Sequence, residues 1–98
     1  MDTVSIKVKY LGLLKNTVGC KEEAVTLPKG GCVEDLFQLL CQKHGEQFSS
    51  VMFRSNGRLR PTAQVLVDDQ DIRDGEGART RLEGDEEISL TIGIYPAA

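Results

Sequence analysis

The residues able to do covalent chemistry are few, and their spacing decides what they can do. Cysteines stand at positions 20, 32 and 41, and His44 is the only histidine. The gaps of 12 and 9 residues contain no Cys-x-x-Cys pair. A zinc centre takes about four ligands, and an odd, sparse set of thiols does not make a disulfide framework. Three reduced, partly buried thiols are therefore expected, with no metal. Cys32 stands at the start of a predicted helix, where the dipole can lower a thiol pKa; the same position suits it as a substitute for a hydroxyl cap. Cys41 and His44 are three residues apart and could form a nucleophile–base pair, but both fall on an apolar stripe, which points to packing. Gly30-Gly31 before the helix reads as a strand-to-helix turn more readily than as an anion cradle.

Two charged clusters complete the inventory. Asp68 to Glu87 holds nine carboxylates in twenty residues, without the register of a calcium loop. This reads as a solvated face, or as a face for a basic partner. Arg54, Arg58 and Arg60 form a small basic cluster around a turn. The chain has no G-x-S-x-G, H-E-x-x-H, P-loop or G-x-G-x-x-G motif. No catalytic residue and no bound cofactor is expected, and the chain is not read as an enzyme.

Composition narrows the field further. The 98 residues fit one domain, 1–98. Hydrophobic residues make up 40% and charged residues 28%, as in an ordinary soluble domain. The net charge of −3 argues against nucleic acid as a partner. Apolar runs are too short to span a membrane, and Met1-Asp2-Thr3 opens no signal peptide. Together with the thiols this predicts a cytoplasmic protein. Aromatics are 5%, with no Trp, which leaves little for a large aromatic pocket or a base-stacking platform.

These residues need elements to hold them. Val4 to Tyr10 alternates apolar and polar, the period of a half-buried strand. Leu11 to Val18 reads as a helical turn or loop ended by Gly19. Glu22 to Leu27, closed by Pro28, reads as a second strand, hairpin-paired with the first. Val33, Leu36, Phe37, Leu40, Cys41 and His44 form one helical stripe. Glu34 and Asp35 stand in its first turn, Lys43 and His44 in its last, and Gly45 stops it. Residues 46 to 63 are mixed: Val51-Met52-Phe53 is a helical end or an apolar anchor, and Asn56-Gly57 is a turn. Gln64 to Asp68 is a third strand with Asp69-Gln70-Asp71 as its turn. Glu87 to Ile92 is the last strand. The order β-β-α-β-β predicts an α+β fold of the β-grasp, ubiquitin-like type, with a mixed sheet and one main helix on one face. Its first and last strands are expected side by side in the middle of the sheet.

The final segment, Gly93-Ile94-Tyr95-Pro96-Ala97-Ala98, continues the last strand. Pro96 holds the backbone extended, and the two alanines after it are small. A slim tail able to enter a narrow channel in a partner is the functional reading; a frayed end is the plain one.

Several segments together resemble the sulfur-carrier family that includes the small subunit of molybdopterin synthase (MoaD) and the thiamine sulfur carrier (ThiS). Ile6-Lys7-Val8-Lys9-Tyr10 with Leu14 and Val18-Gly19 is similar to the family's first strand and turn. Gly31 to Leu36 resembles its helix start, where Thr is commoner than Cys. Asn56 to Pro61, Val65 to Asp68 and Asp71-Ile72-Arg73 resemble the longer archaeal-type members. Leu82-Glu83-Gly84-Asp85-Glu86-Glu87-Ile88 resembles the family's turn into the last strand. The resemblance covers nearly the whole chain.

The resemblance implies a carrier, most like the molybdopterin synthase small subunit, rather than a catalyst. Its tail, Gly93 to Ala98, would be inserted into a partner. An E1-like adenylating enzyme would spend ATP on the Ala98 carboxylate, and sulfur would then give a thiocarboxylate. The implied acceptor is the molybdopterin synthase large subunit or an equivalent, and exposed apolar residues on the sheet face would dock the partner. Ala97-Ala98 stand at or near the family's Gly-Gly position. An altered or shortened tail, a tolerant activating enzyme, or loss of sulfur transfer each explain this departure. The alternative function is a ubiquitin-like protein-binding module or protein modifier without sulfur transfer.

Overall fold

The computed structural model describes residues 2–92; the tail residues Gly93, Ile94, Tyr95, Pro96, Ala97 and Ala98 lie outside them. The strand expected at the start is β1 (Thr3–Leu11), one residue longer at each end than the alternation suggested. Ile6, Val8 and Tyr10 point into the core, while Thr3, Ser5 and Lys7 face out, as a period of two requires. A short helix, α1 (Leu13–Val18), follows, then β2 (Glu22–Pro28), paired antiparallel with β1 from Thr3↔Pro28 to Lys9↔Glu22.

The main helix, α2 (Val33–His44), buries Val33, Leu36, Phe37 and Leu40 along the predicted stripe. Its entry is fixed by a side chain reaching back: the Cys32 backbone N–H donates to Asp35 Oδ2 at 2.9 Å, one half of a capping box. Gly31 is required there by close approach. A Cβ on it would lie 3.1 Å from the Pro28 carbonyl oxygen and 3.3 Å from Asp35 Oδ2.

Gly45 has φ 72°, so the chain leaves α2 in a left-handed conformation that glycine adopts without strain. It then starts a further helix, α3 (Glu46–Met52), which drives Phe48 and Met52 into the core. The mixed segment after residue 45 is thus a helix followed by a hairpin, in which Phe53 bridges Leu59 around the Asn56-Gly57 turn.

β3 (Ala63–Val67) leads into a turn made by Asp68 and Asp69, with φ of 51° and 69°. Gln70 and Asp71 therefore do not form the turn, as expected, but a two-residue edge strand, β4 (Gln70–Asp71), pairing with Leu66 and Val67. Two 3-10 turns, Ile72–Asp74 and Gly77–Arg79, carry the chain across the helix side to β5 (Glu87–Ile92).

The sheet order is β2-β1-β5-β3-β4. β1 and β5 are parallel neighbours in the middle, and β5 pairs antiparallel with β3 on its other side. This is the mixed, helix-covered sheet of the β-grasp, ubiquitin-like fold, with α1, α3 and β4 added to the expected order. Its core joins Ile6, Val8, Val25, Leu27, Ile88 and Leu90 from the sheet to the α2 stripe and to Phe48 and Met52 of α3.

Candidate functional site

β5 ends in the middle of the sheet. Thr91 pairs with Leu11 and Ile92 with Ala63, so the last described residue of β5 lies between the end of β1 and the start of β3. Leu11 ends β1 and Leu13 begins α1. Among the described residues they are the exposed large hydrophobic ones, at 43% and 47%. Two leucines on either side of Gly12 make a small apolar shoulder beside the strand that leads to residue 93.

The outer face of the sheet meets the expectation of apolar docking residues only in part. It was to present apolar residues for docking, yet its positions are mostly polar: Ser5, Lys7, Glu22, Thr26 and Gln64 are exposed and Lys9, Glu87, Ser89 and Thr91 half-buried. Lys9 pairs with Glu87 at 2.9 Å and Lys7 with Glu22 at 3.6 Å across neighbouring strands. Ala24, the half-buried Leu66 and, at the end of β1, the exposed Leu11 opposite Thr91 are the apolar exceptions. The exposed apolar surface is concentrated at the rim, at Leu11 and Leu13.

The residues singled out for covalent chemistry are not brought together for it. Cys20, Cys32 and Cys41 are free and half-buried. Burial pushes the Cys41 thiol up, and burial and the Glu23 charge do the same to Cys20, the opposite of what activates a nucleophile. At the start of α2, the Cys32 N–H goes to Asp35 and the Val33 N–H to the Thr80 carbonyl at 2.9 Å. The Gly31 N–H goes to the Pro28 carbonyl at 3.0 Å, so three successive donors that an anion would use are engaged within the chain. Among the described residues no group of three His, Cys, Asp or Glu side chains is placed to hold a metal ion.

His44 turns to a partner that its spacing from Cys41 did not suggest. Glu23 projects from β2 on the side of Val8, toward the core. Its Oε2 accepts from Tyr10 Oη at 2.6 Å and from His44 Nε2 at 2.7 Å, and its Oε1 pairs with Lys43. Burial opposes its charge, but hydrogen bonds from Lys43, Tyr10 and His44 outweigh it and hold the carboxyl at about 2. Burial, and then Glu23 itself, keep the Tyr10 phenol well above its ordinary value. A carboxylate this weakly basic stays ionised at neutral pH and is poorly suited to take a proton from a substrate. The cluster ties β1, β2 and the end of α2 together. Its signal in the sequence was three polar-tipped residues at inward positions, Tyr10, Glu23 and His44, which only tertiary structure brings together.

The acid-rich stretch is put to local use. The Glu86 carboxylate accepts the backbone N–H groups of Glu83 and Gly84 at 2.8 and 2.9 Å. Partial burial opposes its charge, yet these bonds hold the carboxyl below its usual range. Asp68 Oδ1 accepts the Glu87 N–H at 2.9 Å, joining the β3–β4 turn to the start of β5. No helix among the described residues is long and apolar enough to cross a membrane.

A model described as the ThiS family matches residues 8–90, from the middle of β1 through nearly all of β5. The chain belongs to the ThiS family. ThiS-family proteins are small ubiquitin-like carriers rather than catalysts. Solved structures share the fold at low identity. SAMP1 from Haloferax volcanii superposes with a TM-score of 0.82 at 18% identity, covering 95% of this chain and 99% of that one. The small archaeal modifier protein 1 from Methanosarcina acetivorans gives 0.79 at 22%, covering 99% and 100%. The Amycolatopsis orientalis BexX/CysO complex contains a chain matching with 0.70 at 16%, covering 94% and 99%. Comparison with curated protein sequences gives no match. In this ThiS-family chain the match begins within β1 and ends within β5, the central parallel pair.

Proposed function

We propose that this chain is a sulfur carrier whose tail, Gly93 to Ala98, is activated by an E1-like adenylating enzyme. A carboxylate oxygen of the Ala98 end attacks the α-phosphorus of ATP and pyrophosphate leaves. The acyl adenylate then accepts sulfide at its carbonyl carbon, and AMP departs with the bonding electron pair. The thiocarboxylate is delivered to an acceptor, the molybdopterin synthase large subunit or an equivalent. The carrier itself binds no cofactor; ATP belongs to the activating enzyme. The observation that carries this reading is β5, a central strand of a ThiS-family fold that runs to Ile92 beside exposed Leu11 and Leu13. Those leucines serve as the apolar anchors of the docked body, with the ion pairs of the outer sheet face setting orientation.

A second reading, a ubiquitin-like protein modifier or binding module without sulfur transfer, draws on the same exposed leucines, which can hold a partner whatever the tail does. ATP–pyrophosphate exchange with candidate activating enzymes separates the two. The carrier reading predicts exchange that needs residues 94–98 and falls for the Leu11→Ser/Leu13→Ser variant. No exchange with any candidate, together with partner binding that survives loss of residues 94–98, would leave the second reading standing instead.

A further inference from the structure

On the helix side lies a groove of about 1150 Å³ between α2, α3, the 53–59 hairpin and the two 3-10 turns. Its floor is apolar. Ile72 and Phe37 are buried, and Phe53 and Leu59 are half-buried beside them. Its rim is mixed but net cationic: the exposed Arg54, Arg58, Arg60, Arg73 and Arg79 line it together with the exposed Glu34, Glu46 and Glu76. Five of the chain's six arginines are here, and none of its six lysines. Guanidinium groups are the side chains best shaped to grip carboxylates in pairs.

Among the described residues none of these arginines is held in an ion pair, by the groove's own Glu34, Glu46 and Glu76 or by any other carboxylate. The ion pairs among the described residues all use Lys or His44, never an arginine. Arg60 donates to the Ser50 carbonyl at 2.8 Å, and Arg73 to the carbonyls of Ala63 and Arg60 at 2.7 and 2.8 Å. Those bonds fix two guanidinium groups in place without cancelling their charge. A cationic rim in a chain of net charge −3 marks a place where an anionic group is to be received.

We propose that this groove docks an acidic peptide segment with apolar anchors, presented by a partner protein. A free phosphate is too small for the volume and would leave the apolar floor unused. Single-stranded RNA is disfavoured because Phe37 and Phe53 meet edge to face, centroids 5.1 Å apart and planes at 67°, and offer no open pair of ring faces for bases. A second copy of this chain is a poor occupant: in its acid-rich stretch Asp71 and Glu86 are already bonded to backbone N–H groups of their own turns, Asp68 to the Glu87 N–H, and Glu87 to Lys9. A separate acidic segment can fill the floor with apolar side chains and pair its carboxylates with the rim.

The test is to pan a display library of random peptides, about a dozen residues long, on the full chain and on two variants. One is Arg54→Glu/Arg58→Glu/Arg79→Glu. The other, Lys15→Glu/Lys21→Glu/Lys29→Glu, makes the same charge change away from the groove; Arg58→Glu alone replaces the first should it fold poorly. The proposal predicts enriched peptides rich in Asp and Glu with interspersed Leu, Ile or Phe. They should bind the arginine variant about tenfold or more weakly, and the lysine variant within about threefold of the native chain. It is overturned by no enrichment, by peptides without acidic excess, by equal losses in both triple variants, or by a single-stranded oligouridylate that outcompetes the selected peptides. Self-association of the native chain that blocks the groove would overturn it as well.

Discussion

Two charged regions on either side of Phe48 treat charge in opposite ways. At one, the single carboxylate of Glu23 collects Tyr10, Lys43 and His44, and its side chain is only 12% exposed. At the other, five arginines ring a groove with no carboxylate in ion-pair contact. The first region uses charge to hold strands to a helix. The second leaves it available to another molecule. Charge that is buried and fully partnered stabilises a fold, whereas exposed charge that is fixed in place but unpaired contributes little to folding and much to recognition. The Phe48 ring lies 6.2 Å from His44 and 6.3 Å from Phe53, so it touches on both regions.

That link gives the largest expected effect. Phe48→Ala should cost about 3–5 kcal/mol in urea unfolding, because it removes a fully buried ring from the common core. A loss below about 1 kcal/mol would show that the two regions do not share a wall.

Glu23→Ala comes next, at about 2–3 kcal/mol, since it strands the Tyr10 hydroxyl and the Lys43 and His44 side chains that met there. The same group sets an acid response. Its folded pKa of about 2 lies below the ordinary 4.5, so its stabilisation is complete above pH 4.5 and is lost as pH falls toward 2. Glu23→Gln should therefore be less stable than the native chain at neutral pH and should lose less stability on acidification through that window. Parallel acid curves for the two proteins would contradict the assignment.

On the groove side the effects shrink. Arg73→Ala removes two bonds to the carbonyls of Ala63 and Arg60 and should cost about 1–2 kcal/mol. Arg54→Ala and Arg58→Ala, whose side chains make no such bond, should change stability by less than about 0.5 kcal/mol. An Arg54 or Arg58 variant as damaging as Glu23→Ala would erase the contrast between the regions.

The sequence reveals these regions unevenly. β1 and β5 are legible from alternation, β2 from its composition and the Pro28 that closes it, and α2 from its stripe and its Gly45 stop. α3 gives too little pattern: among Glu46, Gln47, Ser49 and Ser50, Phe48 and Met52 are one turn apart and Val51 stands beside them. β4 is two residues long and exists only because Asp68 and Asp69 both take positive φ, which neither residue type demands. Of the groove, Arg54, Arg58 and Arg60 are visible as a cluster, while Arg73 and Arg79 join through the 3-10 turns. The family resemblance rests on the order of many weak segments, and the match over residues 8–90 agrees with it. The tail residues expected to react lie outside the described part of the chain.

The carrier role is tested most directly by the intact mass of the protein after incubation with an E1-like enzyme, ATP and sodium sulfide. The account predicts a gain equal to one sulfur replacing one oxygen, confined to the peptide ending at Ala98 and larger in yield for the Ala97→Gly/Ala98→Gly variant, whose tail lacks the two methyl groups. An unchanged mass, in both forms and alongside full conversion of each enzyme's own carrier, would contradict it.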